Sequence, residues 1–292
     1  MKIYTYAIID FRNVSDYILK GLEERLVYTV PYRDISAAVS DLHLYPRTKN
    51  LAMMVDHILE HERVVEGLSK KFTVLPVKFL TTFNTKEDVL SMLKGYYRDF
   101  KRNLDRLREK VEFGLKVIWQ GEDIKQSITN AYHANSKALV PDNSPLKNFV
   151  MEKYSQYKIQ KEFEDKAESS IAAIDNIFSP LACEKRLEGL KTGNLLLNAY
   201  YLIEKKDQTD FKRAYKNLRK TFNHFQYLLS GPWPPYNFVL LTNKIASLKN
   251  SGEIPTLFSL LQQQNASSRL DLNTKNSRFK GCFSQARKGN DD

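Results

Sequence analysis

Cysteine is nearly absent from this sequence: Cys183 and Cys282, 99 positions apart, are the two in 292 residues. Thiols so far apart give neither a disulfide framework nor a CxxC metal knuckle, and point to reduced thiols in a cytoplasm. Glycine is sparse as well. None of the 11 glycines forms GxGxxG or GxxxxGK[ST], which excludes the usual phosphate-cradling loops. There is no GxSxG elbow, and neither cysteine has a histidine or aspartate arrangement that would make it a nucleophile. Long apolar runs are missing: the longest interior stretch, 195–203, is interrupted by Asn198, far short of the roughly 20 residues of a membrane span. The opening MKIYTYAIIDF reaches Asp10 too soon for a signal h-region and reads as a first strand. Acid is in short supply: 34 Asp+Glu against 45 Lys+Arg leave a net charge of +11. That excludes an acidic calcium-buffer protein and leaves nucleic acid, an anionic surface or an acidic partner.

What is present can fold. Hydrophobic residues make up 42% and charged residues 27%, enough for cores in two modest domains. Residues 3–9 read as a strand, and 27–32 with 35–40 as a hairpin or bent strand. From Asn50 the period turns helical, with Leu51, Met54, Val55, Ile58, Val65 and Leu68 on one face. Residues 72–79 return to strand, confined by Pro76 to an edge or bulge. Thr85 and Asp88 are spaced as a helix start, opening one long charged helix to about Lys110.

Residues 111–119 form the next strand, and 134–145 a loop. A very long helix from Pro145 ends near Gly189 and Gly193, before a strand at 194–203 and a helix at 209–224. Strand-like runs at 226–229 and 237–241 flank GPWPP, whose prolines are expected to keep it out of a sheet ladder. The reading is α+β with two domains: residues 1–110 as a small mixed sheet plus helices, and 111–242 as a modified ferredoxin-like domain. Residues 243–292 form a polar basic tail, read as disordered.

Three features carry candidate chemistry. His57, Glu60 and His61 match H-x-x-E-H, in which two histidines one helical turn apart hold zinc and a glutamate activates water. No third ligand is evident, and His61 reads instead as a half-buried histidine beside the apolar face. Lys94, Arg98, Lys101, Arg102, Arg106, Arg108 and Lys110 suggest nucleic acid. Asp99, Asp105 and Glu109 are interleaved with them, as on a salt-bridged, solvated face. The third is the segment 229–239. Its prolines fix φ around Trp233 and Tyr236, so it either plugs the space between domains or presents an aromatic contact to a partner. Trp233, Pro234, Pro235 and Tyr236 are the candidate partner-binding residues. No catalytic set is defensible.

These segments resemble the gas vesicle protein family GvpL/GvpF. The marks are YTYAII at 4–9, YRDISAAVSD at 32–41, VLPVKF at 74–79, KVEFGLKVIW at 110–119, LLLNAYYLIEK at 195–205 and SGPWPPYNFV at 230–239. Lys78 and Leu80 depart from the arginine and glycine usual in relatives, and the tail after 243 matches nothing transferable. The resemblance implies a two-domain α+β fold with a modified ferredoxin-like C-terminal domain. It also implies a non-enzymatic accessory or minor structural protein, without cofactor or metal, located in the cytoplasm with gas vesicles. Its partners would be the small hydrophobic shell protein and other vesicle accessory proteins, with no specific nucleic acid and no membrane. The alternatives from the residues alone are a basic nucleic-acid-binding protein, or a zinc hydrolase using His57, Glu60 and His61.

Overall fold

The computed structural model describes residues 2–11, 19–42, 51–136, 144–189 and 193–240. The first sheet is built around β1 (Lys2–Ile9), whose eight residues are almost all buried. Its neighbours are β2 (Tyr28–Tyr32), β3 (Ile35–Leu42), β4 (Val74–Pro76) and β5 (Thr82–Phe83), in the order β2-β3-β1-β4 with β5 also on β1. Every pairing is antiparallel, so the small sheet is antiparallel and not mixed. Tyr4, Tyr6 and Ile9 pack with Ile58, Val65 and Leu68 of α1 (Leu51–Ser69) on one face. Ile3 and Ile8 serve a second core on the other face; the alternation changes phase at the bulge between Thr5 and Ala7, which puts Ile9 on the face of Tyr4 and Tyr6.

That second core takes in Val89 and Leu93 of α2 (Lys86–Gly95) and Phe100, Leu104 and Leu107 of α3 (Tyr97–Leu107). The helix start is as the sequence indicates. The Thr85 hydroxyl accepts the Asp88 amide and the Asp88 carboxylate accepts the Thr85 amide, both at 3.1 Å. The single long helix is not. It breaks at Tyr96 (φ −115°, ψ 15°), directly after Gly95, the weakest helix former in the run.

The second sheet has the order β7-β8-β6-β9, from β6 (Lys110–Ile118), β7 (Glu184–Gly189), β8 (Leu195–Glu204) and β9 (Gln226–Trp233). With α6 (Gln208–Thr221) between β8 and β9, this is the ferredoxin-like order, all antiparallel. The modification lies in the first crossover, which is a pair of helices, α4 (Gly121–Ser136) and α5 (Pro145–Phe178). Their faces and α6 cover one side of the sheet, where Phe211 stacks on Phe113 at 4.8 Å and meets Phe178 at 4.9 Å. The first turns of α5 reach past that core, leaving Leu146, Phe149, Tyr154 and Tyr157 exposed.

Three expectations change. Residues 134–136, read as the start of a loop, are the last turn of α4. The long helix stops at Phe178, where Ser179 and Pro180 begin a single 3-10 turn, and the residues read as its end form β7. One proline of GPWPP falls within a strand: β9 is an edge strand that spans Gly231 and Pro232, but these two have no paired partner, because the register shifts opposite Glu112–Gly114, and Pro234 and Pro235 lie beyond the strand. The tail from 243, and most of the loop read at 134–145, lie outside the described residues.

Tyr200 and Leu202, on the other side of the second sheet, join the second core of the first sheet. The two sheets therefore share apolar contacts, and the segment after β9 lies along that junction.

Candidate functional site: the proline-braced strap between the sheets

The strap begins at Gly231, at φ +108°, where a Cβ would sit 2.6 Å from the carbonyl oxygen of Glu112. Only glycine fits that approach. Pro234 and Pro235 are buried, and a 3-10 turn follows at Tyr236–Phe238. Trp233 and Tyr236 are half-buried.

Four groups hold the strap down. The Glu112 carboxylate accepts the Asn237 backbone amide at 2.8 Å and also the Asn237 side-chain amide. Phe238, 1% exposed, fills the second core beside Tyr200, Leu202, Ile35 and Leu75. The Arg106 guanidinium donates to the Phe238 carbonyl and to Glu184. Asn103 binds Leu240 through both ends of its amide, accepting the backbone N–H at 2.8 Å and donating to the carbonyl at 2.6 Å. Arg106, read from sequence as one of a solvated set, is thus part of the junction.

The electrostatics of the junction are unusual. Burial pushes the Glu112 carboxyl up to about 7, outweighing the Asn237 bonds and the Arg186 charge. On α1, Glu62 is pushed up to about 7 by burial and by Glu66, itself raised by burial. The Tyr236 hydroxyl is buried with no hydrogen-bond partner, and its pKa is raised by burial, then by Glu62, Glu66 and Glu112. The ring itself packs against the α1 core. The strap therefore touches both sheets and α1, and what it offers chemically is a fixed surface with no nucleophile aimed outward.

The H-x-x-E-H residues lie on α1. His61 is 2% exposed, deeper than the half-buried position read from sequence. The Tyr4 hydroxyl accepts the Leu80 amide and is hydrogen-bonded to His61 Nδ1 at 2.8 Å. Tyr4, Tyr6 and Phe79 ring it at 5.6–5.8 Å, and burial pulls its pKa down to about 4. His57 and Glu60 are half-buried on the same helix. Among the described residues no group of three or more His, Cys, Asp or Glu is placed to hold a metal ion. No described helix is long and apolar enough to cross a membrane.

Sequence reasoning missed Asn103, Arg106 and Glu112. The one available signal was Glu112 and Lys116 on the otherwise apolar β6, since a polar residue in such a strand needs a specific partner.

This two-sheet α+β architecture is that of solved gas vesicle proteins. The crystal structures of GvpF from Microcystis aeruginosa and from Anabaena sp. superpose with TM-scores of 0.70 and 0.71. Each is 18% identical in sequence and is matched over 82% of this chain and 99% of its own. Residues 2–240 match the family described as gas vesicle synthesis protein GvpL/GvpF, and the chain belongs to that family. Among curated relatives, gas vesicle protein F1 of Halobacterium salinarum is 26% identical over 243 residues, 81% of this chain and 92% of the relative. Gas vesicle protein F of Haloferax mediterranei is 23% identical over 240 residues, 81% and 92% respectively.

Proposed function

We propose that this chain is a non-enzymatic accessory or minor structural protein of gas vesicles, which helps nucleate or assemble the shell. It does so in the cytoplasm by binding the small hydrophobic shell protein and other vesicle proteins. The family match over residues 2–240 carries this reading. Within it, Trp233, Pro234, Pro235 and Tyr236 form the partner site: the half-buried Trp233 is the outward contact, and the buried Pro234 and Pro235 with the inward-packed Tyr236 fix it from beneath. An anchor held by its own fold loses little entropy on binding.

The test is capture of vesicle proteins by the tagged chain from lysate of its own host, identified by mass spectrometry. Enrichment of the shell protein over a tag-only control supports assembly. Recovery of metabolic enzymes without any vesicle component overturns it. Trp233→Ala separates the roles of the strap: lost capture at unchanged melting temperature supports the contact, and lower melting with intact capture leaves only the plug between the sheets.

A further inference from the structure

The seven basic residues from Lys94 to Lys110 divide into two groups once the helices are placed. Lys101 pairs with Asp34 at 3.0 Å and Asp105 at 3.4 Å, Arg106 with Glu184, Arg108 with Asp10 and Asp105 at 3.1 Å, and Lys110 with Glu204 at 3.5 Å. Lys94 and Arg98 pair with no carboxylate among the described residues. Arg102 reaches only Asp99, at 3.9 Å. These three lie around the α2–α3 break, and Arg33 joins them from the β2–β3 turn. Together they line a cleft of about 500 Å³, whose one carboxylate is Asp99.

Arg33 is held in place before any ligand arrives. It occupies φ 55°, and its guanidinium lies 4.8 Å from the Tyr97 ring and 5.4 Å from the Tyr32 ring, which meet edge-on at 5.7 Å. The next residue fastens the turn to α3: Asp34 accepts the Tyr97 hydroxyl at 2.7 Å as well as Lys101. A fixed guanidinium on aromatic walls loses less freedom per bond formed than a free one.

We propose that the cleft between the Tyr32–Arg33 turn and the start of α3 is a docking site for an acidic peptide segment of a partner protein, gripped by Arg33, Lys94, Arg98 and Arg102. Planar guanidinium groups match carboxylates two bonds at a time. A nucleic-acid strand needs a continuous basic track, and here the bases beyond the cleft are already neutralised by Asp34, Asp105, Asp10 and Glu204. The inference goes beyond the vesicle role and stands independently of it, since it rests on local charge and geometry alone.

The test uses the full chain and a fluorescein-labelled peptide alternating glutamate and serine, read by anisotropy at low salt. The cleft variant is Arg33→Glu with Arg98→Glu; the control is Lys216→Glu with Lys220→Glu on exposed positions of α6. The site predicts an affinity loss on the order of tenfold or more in the cleft variant and within about twofold in the control. Arg33→Gln with Arg98→Gln guards against a folding effect and should weaken binding in the same sense at unchanged melting temperature. Equal losses in cleft and control variants, or no binding by the unmodified chain, would overturn the proposal. So would tighter binding of a labelled oligothymidylate of equal charge that is lost in the same cleft variant, because the cleft would then serve nucleic acid.

Discussion

The side-chain amide of Asn103 closes on the backbone of Leu240 from both directions, donating to its carbonyl and accepting its N–H. A buried amide thus does for the strap what a neighbouring strand does for a sheet edge. Asn103→Asp keeps the acceptor but loses the donor and adds charge, and Asn103→Ala loses both bonds. Each should lower unfolding free energy by about 1–3 kcal/mol in urea titrations. A loss within error for both variants would show that the strap is held without this clamp.

Tyr236 gives opposite signs for two substitutions. Its hydroxyl is buried without a partner while its ring packs on α1. Tyr236→Phe should be neutral or stabilise by up to about 1 kcal/mol, because it removes a desolvated group. Tyr236→Ala should cost about 3–4 kcal/mol by opening a cavity. Thermal and urea unfolding of the two proteins side by side would read both.

Glu62 and His61 are neighbours with opposed pH behaviour. The Glu62 carboxyl is raised from 4.5 to about 7, so its contribution is fully present below about 4.5 and lost as pH climbs through about 7. His61 is lowered from 6.5 to about 4, so its contribution is present above about 6.5 and lost as pH falls through about 4. Over the shared interval the two slopes oppose one another. Glu62→Gln should therefore raise stability by roughly 1–2 kcal/mol near pH 8, discounted for its partial exposure, and leave it unchanged near pH 4.5. Urea midpoints at the two pH values test this, and an equal gain at both would refute it.

Gly231→Ala places a methyl group against the Glu112 carbonyl at a backbone angle that L-residues avoid. A loss of about 2–3 kcal/mol is expected. Because Glu112 also holds Asn237, the variant should show faster proteolysis after residue 233 at conditions where the rest of the chain resists.

Elements with strong local signals were legible in the sequence. Thr85 and Asp88 announced the start of α2, and the alternation at 3–9 announced β1. What failed to show was set by position in the fold. The sequence EKRLEG of β7 lies at a sheet edge, mostly exposed, so it has no apolar face to display. α4 touches its core through Ile124, Ile128 and Tyr132, one residue per turn, a narrower stripe than the three or four apolar residues per two turns that mark an amphipathic helix. The strap's rigidity was readable from its prolines, but its anchors were not. Asn103 lies 137 residues from Leu240 and Glu112 lies 125 from Asn237, and no spacing rule reaches that far.

The 34 residues of α5 extend about 51 Å at 1.5 Å each, yet their first buried side chain is Ile159. One continuous helix is therefore clamped at its C-terminal half and bare at its N-terminal half. Its amides should not exchange with deuterium as a unit. Protection should be slight through Tyr157, climb across Phe163 and Ala167, and reach the value of global unfolding by Phe178. A single element then reports two stabilities, and the outer one can change without disturbing the junction of the sheets.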